Sequence, residues 1–121
     1  MSKTILLVDD EPDVVDLIKN RLEANQYTVM TAQDGHEALE KIYAHKPDLI
    51  VLDIMMPGIS GYDVCERIKH DPDVCHIPVF ILTAKIRYKD KKEGEHCGAD
   101  AYITKPYSSD LLLDQIRRTI G

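Results

Sequence analysis

Three aspartates in the sequence are spaced to meet at one point. Asp9 and Asp10 follow the apolar run Ile5-Leu6-Leu7-Val8, and Asp53 follows a second run, Leu49-Ile50-Val51-Leu52. Short, uninterrupted apolar runs of this kind read as buried strands. Both sets of acids stand where such a strand would end. In an open parallel sheet, ligands bind just past the carboxyl ends of the strands. If the two strands are neighbours, three carboxylates crowd one pocket, and only protonation or a cation relieves their repulsion. Three hard oxygen donors suggest magnesium, and with it a metal-assisted phosphate site.

Two further polar residues fit the same edge. Thr83 follows Val79-Phe80-Ile81-Leu82, and Lys105 follows Ala101-Tyr102-Ile103-Thr104. A carboxylate nucleophile, a hydroxyl donor, an ammonium and a metal make a workable phosphoryl site. Such a transfer needs little beyond positioning and charge neutralisation. Each residue alone has a plainer reading. Strand-end aspartates often serve as turn residues or helix caps, a threonine can cap a turn, and a lysine can be a solvated surface charge. Their joint appearance after four separate strands carries the functional reading.

The elements that must position these groups alternate along the chain. Strands are predicted near 4–8, 27–31, 49–52, 78–82 and 101–103, and helices near 12–24, 35–45, 61–69, 87–97 and 108–119. This alternation predicts an α/β fold, a doubly wound parallel sheet of five strands with helices on both faces. Pro12 suits the start of the first helix, where a missing N–H costs nothing. Val14, Ile18 and Leu22 recur every four residues, with Val15 and Leu17 expected to widen the apolar face. Asp34-Gly35 and Pro57-Gly58 mark turns. Lys46-Pro47 ends the second helix, because the residue before proline avoids the helical region. Gly98 suits the end of the fourth predicted helix. Ser108 suits the cap of the last, with Asp110 favoured at its positive end. Leu112, Leu113, Ile116 and Ile120 are expected to face the sheet.

The 121 residues fit one domain, 1–121, with enough chain for a proper core. The net charge of −6 argues against direct nucleic-acid binding through phosphate contacts. No apolar stretch approaches a membrane span, and the first residues lack the apolar region of a signal peptide, so a cytoplasmic location is expected. Cys65, Cys75 and Cys97 do not describe a disulfide framework. Cys75-His76 and His96-Cys97 invite a zinc reading, but adjacent residues rarely point at one metal. The plainer reading is a core cysteine at 65 and two near loops or a helix end.

With these residues in view, the chain resembles the receiver domains of bacterial two-component response regulators. The matching pieces are Leu7-Val8-Asp9-Asp10-Glu11-Pro12, the run from Asp48 to Pro57, Gly61-Tyr62, Ile77-Pro78-Val79, Leu82-Thr83-Ala84, Gly98-Ala99-Asp100 and Tyr102-Ile103-Thr104-Lys105-Pro106. They span essentially the whole chain in the family's order and spacing. The resemblance implies a flavodoxin-like receiver fold with strand order 2-1-3-4-5. It implies that Asp53 accepts a phosphoryl group from a phosphohistidine of a sensor histidine kinase or phosphotransfer protein. Asp10 would bind Mg2+ directly and Asp9 through water, with Asp53 and the Met55 backbone carbonyl completing the set. Lys105 would pair with the phosphoryl group, while the Thr83 hydroxyl and the Ala84 backbone N–H hydrogen-bond it. Tyr102 matches the aromatic position that turns inward when Thr83 moves toward the phosphate. The output would be altered contact with a downstream protein or effector domain. A homodimer formed on phosphorylation is compatible with this.

The resemblance also implies that Met55 and Lys85 border the approach of a hydrolytic water. An apolar side chain and a charged ammonium cannot take a proton from that water, so slow self-dephosphorylation is expected. The run Lys85-Ile86-Arg87-Tyr88-Lys89-Asp90-Lys91-Lys92 is less typical, with five bases against one acid. A solvated face is its plainer reading. A flavin carrier of this fold needs a neutral, donor-rich loop after the first strand, and Asp9-Asp10-Glu11 would repel the cofactor's phosphate. An aspartate-based phosphatase normally carries a second acid two residues after its nucleophile, where this chain has Met55. The chain is therefore expected to be a switch rather than a metabolic enzyme. Its kinase, its output, and whether it stands alone or is the receiver part of a longer regulator are left open.

Overall fold

A computed structural model describes residues 2–54, 56, 58–83, 98–104 and 108–121, with Thr83 described by its backbone alone. Its strands are β1 (Thr4–Val8), β2 (Thr28–Ala32), β3 (Leu49–Asp53), β4 (Val79–Thr83) and β5 (Ala101–Thr104). The described helices are α1 (Pro12–Ala24), α2 (Gly35–His45), α3 (Gly61–Lys69) and α4 (Ser109–Ile120). All neighbouring strands run parallel, in the order β2-β1-β3-β4-β5. This is the expected doubly wound sheet. The helix predicted near 87–97 lies outside the described residues.

Strand periodicity divides the core in two. Ile5, Leu7, Val51, Phe80 and Leu82 face α1 and α4, where they meet Ile18, Leu22, Leu112, Leu113 and Ile116. Leu6, Val8, Leu52 and Ile81 face the other way, against Ala38, Leu39 and Ile42 of α2 and Val64, Cys65 and Ile68 of α3. Every residue of β3 is buried, which explains its lack of apolar–polar alternation: a strand covered on both faces has no wet side.

Local chemistry sets the helix ends. The side chains of Asp34, Ser60 and Ser108 accept backbone N–H bonds from Glu37, Asp63 and Leu111, at 2.8, 3.2 and 3.0 Å. These satisfy donors that a helix start leaves orphaned. Asp34 is thus a helix cap with Gly35 already in α2, rather than the middle of a free-standing turn. Lys46 leaves the helical region before Pro47 by adopting a left-handed conformation, φ 46°. Leu17 departs from expectation. It is 68% exposed and does not widen the buried face of α1, because Ile18 and Leu22 alone point squarely at the sheet and Val14 and Val15 flank them.

Candidate functional site

Strand register explains how residues 44 positions apart in sequence become neighbours. Val8 of β1 lies opposite Leu52 of β3, so Asp9 and Asp53, one step further along, come level at the carboxyl edge. One carboxylate oxygen from each of Asp9, Asp10 and Asp53 lies within 4.8 Å of the other two. Asp9 and Asp53 are buried, at 1% and 2% exposure, whereas Asp10 is exposed. Among the described residues these are the only charged side chains in the buried set. Charged groups that deep are costly without compensation, which marks the corner as built for something other than packing.

The backbone around the acids is held from several directions. Asp9 Oδ1 accepts the Glu11 N–H at 2.9 Å, which closes the turn from β1 into α1. The Asp9 N–H donates to the Ala32 carbonyl at 3.2 Å, tying the same turn to the end of β2. Past β3, the Ile54 N–H donates to the Leu82 carbonyl at 3.2 Å. Helix α3 then starts against this strand end. A Cβ on Gly61 would lie 2.6 Å from the Asp53 carbonyl oxygen and 2.9 Å from the Ile54 Cα. Only glycine permits so close a backbone approach. A cavity of about 270 Å³ opens beside Asp9 and Asp10, and Asp16, Thr31 and Gln33 contribute polar groups to it.

The other expected site residues are distributed as follows. Thr83 ends β4 beside β3, and β5 ends at Thr104, one residue before Lys105. Tyr102 stands on β5, level with Ile81, half-buried on the α3 side. Met55, Ala84, Lys85 and Lys105 lie outside the described residues, as do Cys97 and the basic run. Cys65 is buried in α3, and Cys75 is exposed. Two features had no role assigned from sequence. One is the close packing of Gly61 on β3. The other is a stacked contact between Tyr62 and Tyr102. The pair Gly61-Tyr62 was visible as a motif, but only the fold shows what it touches.

The donor set suits a hard divalent cation. Three carboxylates converge, and carboxylate oxygens are the ligands that magnesium takes from proteins. Softer metals would favour sulfur or imidazole, and neither belongs to this cluster.

Comparison with known proteins gives one consistent answer. The family model described as "Response regulator receiver domain" matches residues 5–117. The alkaline phosphatase synthesis transcriptional regulatory protein PhoP of Bacillus subtilis is 47% identical over 108 residues, covering 89% of this chain and 44% of PhoP. The response regulator PleD of Caulobacter vibrioides is 42% identical over 117 residues, covering 97% of this chain and 26% of PleD. The chain thus spans less than half the length of these relatives. Among solved structures, the chemotaxis response regulator CheY4 of Vibrio cholerae superposes with a TM-score of 0.92 at 28% identity, covering 98% of this chain and 99% of that one.

Proposed function

This chain belongs to the response regulator receiver domain family, and we propose that it is a phospho-accepting switch whose acceptor is Asp53. Receiver domains are signalling switches of two-component systems rather than metabolic enzymes. The observation that carries the specific reading is the convergence of Asp9, Asp10 and Asp53 at the carboxyl edge, with Asp53 on the central strand.

In this reading residues 1–121 form one receiver domain. A carboxylate oxygen of Asp53 attacks the phosphorus of a phosphohistidine on a sensor histidine kinase or phosphotransfer protein. The new O–P bond replaces the N–P bond, and the imidazole leaves. Asp9, Asp10, Asp53 and the Met55 carbonyl would hold Mg2+, which when bound neutralises charge on the transferred oxygens. Lys105 pairs with the phosphoryl group, and the Thr83 hydroxyl and Ala84 N–H hydrogen-bond it. Thr83 and Tyr102 then carry the change to the surface that meets a downstream protein or effector domain. Met55 and Lys85 keep hydrolytic water from being activated, so the phosphorylated state is long-lived. Among the described residues no helix is long and apolar enough to cross a membrane. The proposed setting is the cytoplasm.

The test is phosphorylation of the whole chain by a small acyl phosphate donor with magnesium, followed by mass spectrometry. A label on Asp53, lost in Asp53→Asn, is expected. A label undiminished by that change overturns the assignment. The long-lived state is tested by decay of the label. The wild type should outlast the double variant Met55→Asn/Lys85→Glu, and equal or faster decay of the wild type rejects the shielding role.

A further inference from the structure

The Tyr62–Tyr102 contact joins the phosphoacceptor strand to β5 by a route separate from Thr83. Gly61 seats the start of α3 directly on the Asp53 and Ile54 backbone. Tyr62, the next residue, therefore has its position set by the end of β3. Its ring stacks on that of Tyr102, with centroids 6.4 Å apart and planes 25° from parallel. The two hydroxyls hydrogen-bond to each other. Both rings are half-buried and pack against the cluster that includes Leu52, Val64 and Ile81.

Bringing a tyrosine hydroxyl toward a core is costly unless its hydrogen bonds are met. Here each hydroxyl meets part of that need for the other. If Tyr102 swung away from α3, the stacking and the bond would both be lost. The contact therefore favours one position of Tyr102, the one on the core side of β5.

We propose that Tyr62 is a positioning residue for the switch: it holds Tyr102 on the core side of β5 before any phosphoryl group arrives. The receiver is thereby biased toward its activated arrangement, and phosphorylation completes a change already partly made. The inference rests on the reading of Tyr102 as a switch residue. A ligand moves such an equilibrium only through its differential affinity for the two states, so a protein already biased needs less of it. One net hydrogen bond changes a population ratio by about fivefold.

The experiment uses the full chain with 3-fluorotyrosine in place of tyrosine. The Tyr102 resonance is assigned by its loss in Tyr102→Phe. Beryllium fluoride with magnesium serves as the phosphoryl mimic. In the wild type, Tyr102 should respond to the mimic. In Tyr62→Phe, its resonance in the absence of the mimic should move away from the activated position. The mimic midpoint, read in every protein by titration calorimetry, should rise about fivefold, with wild type and Tyr62→Phe reaching the same Tyr102 end point. Tyr102→Phe removes the same bond from the other side, and the double variant Tyr62→Phe/Tyr102→Phe closes a cycle. The midpoint of the double variant should equal that of the single variants, because one bond cannot be lost twice. Additive midpoint shifts, or a Tyr62→Phe spectrum and midpoint matching the wild type, overturn the positioning role. A wild-type Tyr102 resonance indifferent to the mimic overturns the switch reading itself, and the proposal with it. The two failures are distinct, since one is read in the wild type and the other in the variants.

Discussion

At the amino edge of the sheet, Asp48 and Asp100 each fasten a neighbouring strand, whereas at the carboxyl edge Asp9, Asp10 and Asp53 turn toward one another. Asp48 stands one residue before β3. It accepts the Thr4 N–H at 2.7 Å through Oδ2 and donates its own N–H to the Thr4 carbonyl at 2.8 Å. Asp100 stands one residue before β5 and repeats the pattern on Val79, at 2.8 Å in each direction. Lys69 adds an ion pair to Asp100 at 2.9 Å and donates to the Ile77 carbonyl at 2.7 Å. These acids complete ladders that the strands cannot finish alone. The acids at the other edge instead bring one oxygen each within 4.8 Å of one another. The same residue type thus fastens strands at one edge and, in the proposed reading, would hold a cation at the other.

The sharpest break of this comparison is chemical. Asp53→Asn should abolish phosphorylation, while Asp48→Asn should leave its extent unchanged. Mass spectrometry after treatment with an acyl phosphate reads both. Label retained in the first, or lost in the second from a folded protein, removes the distinction between the edges.

Magnesium should divide the two edges thermodynamically. Binding to the native state alone adds about 2.7 kcal/mol at a hundredfold excess over Kd. Asp10→Ala should abolish that gain while leaving metal-free stability equal or higher, since it removes one of three mutually repelling charges. A melting temperature that ignores magnesium in the wild type counts against the site. By contrast, Asp100→Ala should keep the magnesium response and lower stability by about 1–3 kcal/mol, because it orphans the N–H of buried Val79. Urea midpoints with and without magnesium measure both effects.

Gly61→Ala probes the joint between the acidic corner and α3. A helix ordinarily gains up to about 1 kcal/mol from this change. Here the new Cβ would strike backbone, 2.6 Å from the Asp53 oxygen, and backbone cannot rotate out of the way. Overpacking of this kind costs about 1–3 kcal/mol. A net loss of stability is expected, together with slower phosphorylation as Asp53 is displaced. A stabilised variant with wild-type kinetics contradicts the close approach.

The smallest effect lies away from both edges. The Tyr43 hydroxyl donates to Asp71 Oδ2 at 2.7 Å. This bond, with the Asp73 N–H second, holds the Asp71 carboxyl below the usual range. A depressed acid stabilises the fold above its unfolded pKa, about 3.9, and that contribution is lost as pH falls through the folded value. Tyr43→Phe should therefore be slightly less stable than the wild type near neutrality, with the gap closing in acid. Urea midpoints across that range would show it. A gap that widens toward acid reverses the sign of the argument.

Much of this molecule was legible in its sequence, for a local reason. Apolar runs, capping serines and the proline at the start of α1 act within a few residues of themselves. The strands near 4–8, 49–52, 78–82 and 101–103 and the three helices near 12–24, 35–45 and 61–69 accordingly fall within a residue of the observed ones. The motifs around Asp9, Asp53, Thr83 and Lys105 were enough to name the family, because their order and spacing are carried by the chain itself. What the tertiary structure decided involves partners distant in sequence. The pairing of Val8 with Leu52 brings Asp9 level with Asp53. The seating of Gly61 on β3 sets where Tyr62 lies, and so that it meets Tyr102. Leu17 turned outward because helix orientation is set by the whole buried face, not by one apolar residue. Asp48 and Asp9 are both aspartates beside an apolar run, one before it and one after. Their surroundings diverge because Asp48 is tied to a neighbouring strand, whereas Asp9 closes its own turn and meets two further carboxylates, and only the register and packing of the strands decide which.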